Sequence, residues 1–223
     1  MKITKSRFLI SPGDLNNFVA CKFTIKNEIK FHNKEISKSE EKVNDKLWKK
    51  MGIEHEKKYF QILKNKYKKS ISIKSDLDEK NRFDETLRAM EKGYELIYHA
   101  YLIDGELRGE ADFLIKCSTP SKFGDYSYEV YDTKITRNLR PRHLTQITAY
   151  SDMVGKIQKV LPDKMYLIDG SDEEHSFKTI EYIDLFNHGK KEFLKFLSNV
   201  NKEKIYPEKC SYCNLCNWRD VCD

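Results

Sequence analysis

Tyr126-Ser127-Tyr128-Glu129-Val130-Tyr131-Asp132-Thr133-Lys134-Ile135 is the stretch on which the fold turns. It is rich in Tyr, Val and Ile, residues that favour a pleated, half-buried strand. Upstream, Ile97-Tyr98-His99-Ala100-Tyr101-Leu102 reaches Asp104-Gly105, and then Leu107, Gly109, Ala111, Phe113 and Ile115 alternate with other residues. Two such runs around Asp-Gly predict a β-hairpin. Downstream, Pro141 opens a helix to about Ile157, Lys164–Ile168 and Phe177–Ile183 read as two more strands, and Leu185–Val200 as a closing helix. Nearer the start, Ser11-Pro12-Gly13-Asp14 has the residues of a helix N-terminus, with Ser as cap and Pro in the first helical position; this helix runs to about Lys22. Val43, Leu47, Met51, Tyr59, Ile62 and Leu63 recur with helical period and predict a long helix to Tyr67. Lys34–Lys42 has no apolar period and reads as a loop, and Asp84–Lys92 as a short helix. The order helix, helix, three strands, helix, strands, helix predicts an α/β chain, a mixed sheet with flanking helices. No internal repeat or Gly/Ser- or Pro-rich linker divides it, so it reads as one domain.

Composition narrows the class. The chain has 223 residues, 39% of them hydrophobic and 34% charged, with a formal charge of +6. The hydrophobic share is too high for a disordered chain, and no run approaches the ~18 apolar residues of a membrane span. The N-terminal Met1-Lys2-Ile3-Thr4-Lys5-Ser6-Arg7 leads into only Phe8-Leu9-Ile10, shorter than a secretory signal requires. The expectation is a cytoplasmic protein with no membrane partner and reduced cysteines. Between Lys22 and Lys74 lie 16 Lys and 7 acids, a basic region that either draws in a polyanion or forms a solvated helical face.

Asp132 and Lys134 sit two apart on a strand and so share a face. A carboxylate there can hold a divalent metal, while the ammonium can orient a water and meet charge developing on a phosphate. Acid-any-Lys occurs five times in the chain, but only Asp132/Lys134 falls in a strongly strand-like run. Asp112 stands in mid-strand among apolar residues, where Asp is disfavoured without compensation. If these strands are neighbours, both carboxylates converge on one Mg²⁺ or Mn²⁺. Gly52-Ile53-Glu54-His55-Glu56 places a histidine on the long helix, as either a nitrogen ligand or a surface residue. Gln146 and Tyr150, four apart on a helix, either hold a phosphate or the scissile strand or belong to an ordinary amphipathic helix with Leu144, Ile147 and Tyr150 packed inward.

Gly52-x-x-His55, Gly109-x-x-Asp112, Asp132-x-Lys134 and Gln146-x-x-x-Tyr150, in that order, resemble the motifs of RecB-like nucleases in the PD-(D/E)XK superfamily. The resemblance implies a restriction-endonuclease-like core and a metal-dependent DNase, an exonuclease on single-stranded DNA ends. In it His55, Asp112, Asp132 and the Thr133 carbonyl are metal ligands, Lys134 orients the attacking water, and Gln146 and Tyr150 position the phosphodiester. It divides a single nuclease domain, 1–223, into an N-terminal helix region (11–30), a core (43–203) and a cysteine segment (204–223). Related domains work beside helicases, in DNA repair or in CRISPR adaptation. Two other readings stay open: a binding module with the same fold and no catalysis, and a zinc-stabilised endonuclease.

Four of the six cysteines fall in Cys210-Ser211-Tyr212-Cys213-Asn214-Leu215-Cys216-Asn217-Trp218-Arg219-Asp220-Val221-Cys222. Clustered thiols in a reducing compartment indicate a metal. Cys210, Cys213, Cys216 and Cys222 fit a local four-thiolate zinc site. Cys213, Cys216 and Cys222 joined by the distant Cys21 resemble instead the iron–sulfur subset of RecB-like nucleases, among them the CRISPR-associated exonucleases, the AddB nuclease domain and a related group of RecB-family proteins. Ser11-Pro12-Gly13-Asp14-Leu15-x2-Phe18-x2-Cys21 is similar to that last group, and implies a structural 4Fe–4S cluster on Cys21, Cys213, Cys216 and Cys222. Cys210 has no place in that pattern. Cys117, at a strand end, reads as a buried apolar residue.

Overall fold

The computed structural model describes residues 1–4 and 7–222; Lys5 and Ser6 of the N-terminal stretch, and Asp223 at the end of the cysteine segment, lie outside the described residues. Two short strands, β1 (Lys2–Ile3) and β2 (Phe8–Leu9), pair antiparallel and lead into α1 (Pro12–Ala20). The cap of α1 is reciprocal: the Asp14 N–H donates to Ser11 Oγ at 3.3 Å, and Ser11 N–H donates to Asp14 Oδ2 at 2.8 Å. This helix stops at Ala20 rather than at Lys22. Cys21 is extended (φ −164°, ψ 111°), and a second helix, α2 (Lys22–His32), starts after it. A segment without helix or strand then joins α2 to α3 (Val43–Lys66).

The next strand, β3 (Ser70–Ser72), has only three residues and was not expected from its sequence. After α4 (Glu79–Glu91), capped by the Asp78 side chain, β4 (Leu96–Asp104) and β5 (Leu107–Cys117) form the hairpin. Asp104 pairs with Leu107, and Gly105 takes the positive φ of the tight turn (+59°). Then come β6 (Ser127–Thr133), α5 (Pro141–Gln158), β7 (Lys164–Ile168), β8 (Glu174–Lys178) and α6 (Ile180–Asn199). The last strand and helix differ from the expected boundaries. Ile183, read as strand, is buried in α6 beside Phe186 in a helical period that Phe193 and Leu197 continue. Two short 3₁₀ turns, Ser211–Leu215 and Arg219–Val221, carry the C-terminal cysteines.

The sheet runs β3-β4-β5-β6-β7-β8. β4, β5 and β6 are antiparallel neighbours, whereas β6 and β7 are parallel and joined by the crossover helix α5. It is therefore the mixed α/β sheet anticipated. Side chains from α1, α4, α5 and α6 cover one face, among them Leu15, Met90, Met153 and Phe193; Tyr59 and Leu63 of α3 cover the other. Both hairpin strands change allegiance midway. Leu96, Tyr98, Phe113 and Ile115 pack under α3, while Ala100, Leu102 and Ala111 pack on the α5 side. The switch falls at the level of His99, whose φ of +56° is unusual for a non-glycine strand residue, and of Asp112. Strict alternation fails where the candidate chemistry sits. Among the described residues no helix is long and apolar enough to cross a membrane.

Candidate active site

Three elements bring the acids together. β5 carries Asp112 and the adjacent β6 carries Asp132 and Thr133, which Lys134 follows. Asp112 Oδ2 accepts two hydrogen bonds of 2.7 Å, from the Thr133 N–H and from Thr133 Oγ1. Asp132 is fully buried; its Oδ2 accepts from Lys134 Nζ, and its Oδ1 lies 3.4 Å from Gln146 Nε2. The same Gln146 amide reaches Tyr150 Oη at 3.3 Å, so the α5 pair meets the strand acids through one amide. Gly109 permits this approach: a Cβ there would stand 2.7 Å from Tyr150 Cε1. A cleft lined by Lys49, Gly52, Ile53, Glu56, Asp112, Thr133 and Lys134 opens above the pair.

The electrostatics follow from burial. Desolvation pushes the Asp112 carboxyl well above its ordinary range, and the Asp132 charge pushes it further. Asp132 is raised as well, by burial against the opposing pull of Lys134. For Lys134 burial acts downward, but the charges of Asp132 and Asp112 outweigh it and hold the ammonium above its usual value. Two buried carboxylates facing one ammonium leave an excess of negative charge, the electrostatic demand that a bound cation meets.

Glu56, which the sequence reading did not assign to the site, belongs to this cleft. Its carboxylate lies 2.6 Å from His99 Nε2, and the His99 contact and a hydrogen bond from Tyr98 hold its pKa below the usual value despite burial. His55, one residue earlier, turns its Nδ1 to a different partner. Its Nδ1 faces Asp172 Oδ1 at 3.5 Å in the β7–β8 turn, while Lys58 Nζ holds the other Asp172 oxygen at 2.5 Å. His55 Nε2 is buried with no hydrogen-bond partner. A metal-ligating histidine commonly has its second nitrogen fixed by a carboxylate, so the orphaned Nε2 suits a ligand.

The structure brings Asp112, Asp132, Thr133, Lys134, Gln146 and Tyr150 into one network. It does not draw His55, Asp112 and Asp132 within 4.8 Å of one another; among the described residues that spacing is met by Asp169, Glu173 and His175. Thr133 and Lys134 occupy the carboxylate oxygens that would otherwise face a cation. Asp169, for its part, is spoken for by its own turn, accepting from the Ser171 and Glu173 N–H groups at 2.7 and 3.2 Å.

Cys21, Cys210, Cys213, Cys216 and Cys222 line a separate pocket together with Tyr212 and Trp218. Cys210 Sγ lies 3.9 Å from Cys213 Sγ, Cys213 Sγ accepts from the Cys210 N–H at 3.3 Å, and Cys216 Sγ from the Trp218 N–H at 3.4 Å. Burial raises the Cys216 thiol above its ordinary value. The bend at Cys21 brings that residue to this pocket. Cys117 is far from an inert apolar residue: it is half-buried, with Sγ 3.0 Å from Ser127 Oγ.

The fold and the network define a class. A family model for the PD-(D/E)XK nuclease superfamily matches residues 29–223, and the chain belongs to that superfamily, whose members are metal-dependent nucleases. The matched region includes every cleft residue and the C-terminal cysteines but begins after Cys21. No curated protein matches the sequence.

Proposed function

We propose that this chain is a Mg²⁺- or Mn²⁺-dependent deoxyribonuclease of the RecB-like type, an exonuclease on single-stranded DNA ends that carries a structural 4Fe–4S cluster. The observation that carries the nuclease reading is the hydrogen-bonded set Asp112, Thr133, Asp132, Lys134, Gln146 and Tyr150 across two adjacent strands and α5. Asp112, Asp132, the Thr133 carbonyl and His55 Nε2 would hold the ion. When bound, it lowers the pKa of a coordinated water and neutralises charge at the phosphate. Lys134 stays protonated at neutral pH because its pKa is raised, so it acts as an electrostatic stabiliser and water-orienting donor rather than as a base. Tyr150 stays neutral for the same kind of reason, since burial raises its phenol and leaves it a hydrogen-bond donor to the phosphodiester. Gln146 keeps Asp132 and Tyr150 in register.

The lining of the cysteine pocket supports a ligand set that includes the distant Cys21, because Cys21 borders the same space as Cys213, Cys216 and Cys222. Cys21, Cys213, Cys216 and Cys222 are the proposed ligands, with Cys210 as a substitute beside Cys213.

End-labelled single- and double-stranded DNA, incubated with Mn²⁺ and the wild-type chain, tests the catalytic reading. Stepwise shortening of the single strand that is lost in Asp132→Ala is the expected result. Undiminished cleavage by that variant sinks the assignment, and internal fragments would make the enzyme an endonuclease. Iron rather than zinc by elemental analysis of anaerobically purified protein tests the cluster.

A further inference from the structure

The inward side of α3 does not end where the sheet ends. Tyr59 and Leu63 pack under it, and His55, Glu56 and Gly52 follow one and two turns nearer its start. Trp48 continues that side, four residues before Gly52 and beside Lys49, both of which line the cleft. Much of it is open to solvent: Trp48 is 57% exposed, with Leu47 and Met51 exposed beside it. At Gly52 an added Cβ would meet nothing within 4 Å, so the surface between Trp48 and the acids is open. The helix carries seven lysines against three acids, and Lys49, the next residue after Trp48, lines the cleft and pairs with Glu41.

We propose that Trp48 is a stacking platform for an unpaired nucleobase of the strand whose phosphate occupies the cleft; this rests on the nuclease reading above and adds a binding subsite to it. An exposed aromatic on a lysine-rich helix beside the cleft is a combination that holds single strands, because every base offers a ring face while the backbone offers charge. Trp48 lies about 6 Å along the helix axis from Gly52 and about 12 Å from Glu56, a span of roughly two to four stacked nucleotides at ~3.4 Å each. A duplex keeps its bases stacked and out of reach of such a platform.

The chain has two tryptophans, and Trp218 is only 3% exposed, so Trp48 is the solvent-responsive one. The experiment titrates Asp132→Asn, which is meant to bind without cutting, with a fluorescently labelled single-stranded oligonucleotide and with the matching duplex. Tryptophan emission and anisotropy of the label are read together. Quenching by the single strand alone is expected. Adding Trp48→Ala abolishes the quench and weakens binding about 5- to 100-fold, while Trp48→Phe keeps most of the affinity. Binding without quenching, equal quenching by duplex, or full affinity in Trp48→Ala overturns the subsite and leaves the nuclease reading standing. Concentration-dependent shielding of Trp48 without DNA overturns it in favour of self-association. No binding by any form overturns it as well, whereas the nuclease reading falls only if the wild-type chain leaves DNA uncut in Mn²⁺.

Discussion

The acidic cleft and the cysteine pocket are both proposed to hold metal, yet they are built in opposite ways. In the cleft each key side chain has its position dictated by regular structure: Asp112 and Asp132 by the β5–β6 ladder, Gln146 and Tyr150 by consecutive turns of α5. Its charges are partly answered from within, one ammonium, Lys134, standing against the two acids. Among the described residues the cysteine pocket has no strand in its lining. Its walls are the bend at Cys21, the first turns of α2 and two 3₁₀ turns, tied down by Trp218 against Phe31, Asn217 O against the Ser39 N–H and Tyr212 against Asn17. The cleft is held in shape by its own side chains. On the proposed reading, the pocket would draw its rigidity from the cluster it binds.

The sharpest way to break that contrast is to remove one group from each side. Asp132→Asn is expected to lower cleavage on the order of 10³-fold or more, given the several kcal/mol that a metal contributes to such a transition state. Iron content should stay unchanged, and a fall in both would mean the two regions are coupled. Cys21→Ser is the mirror experiment. Losing a cross-link between positions this distant costs about 5 kcal/mol on loop-entropy grounds, to be read as a fall in denaturation midpoint with loss of visible absorbance. Mn²⁺ affinity of the cleft should survive it.

Smaller changes probe how far the cleft is preset. Asp172→Ala removes the carboxylate facing His55 Nδ1 and is expected to weaken Mn²⁺ binding about 10- to 100-fold by calorimetric titration; unchanged affinity would remove His55 from the ligand set. Gly109→Ala drives a methyl into Tyr150 and should destabilise by about 1–3 kcal/mol in urea titration, with cleavage falling because Gln146 moves too. The least effect is a pH dependence. Burial, helped by Lys134, Arg142 and Arg140, presses His143 down to about 4. The native state then binds fewer protons than the unfolded chain, so this contribution is complete above pH 6.5 and is lost as pH falls towards 4. His143→Gln should flatten the stability profile in that window.

Much of this was legible in the chain. The strands around Asp112 and Asp132 announce themselves by β-branched and aromatic runs, and the helix holding Gln146 and Tyr150 by Pro141 and its period. Other parts were not, for physical reasons. α2 hid because it is lysine-rich and buries only Thr24, Ile25 and Asn27, too little for a stripe. β3 is too short to show a period. Glu56 and His55 are about 100° apart on one helix, and which of them faces the acids depends on how α3 lies over the sheet, a tertiary fact. The face change at His99 depends on a positive φ that no residue type there foretells.

The bend at Cys21 has a consequence in time as well as in space. Cys210 Sγ lies 3.8 Å from the carbonyl of Ala20, 190 positions earlier in the chain. A ribosome adds roughly 5–20 residues per second, so the first wall of the pocket waits ten seconds or more, on that order, for the second to emerge. The sheet and its acids can be assembled while that thiol is still without its distant neighbours. Closure of the cysteine pocket therefore follows synthesis of the sheet, and a cell short of whatever fills it would accumulate chains with the sheet built and the pocket open.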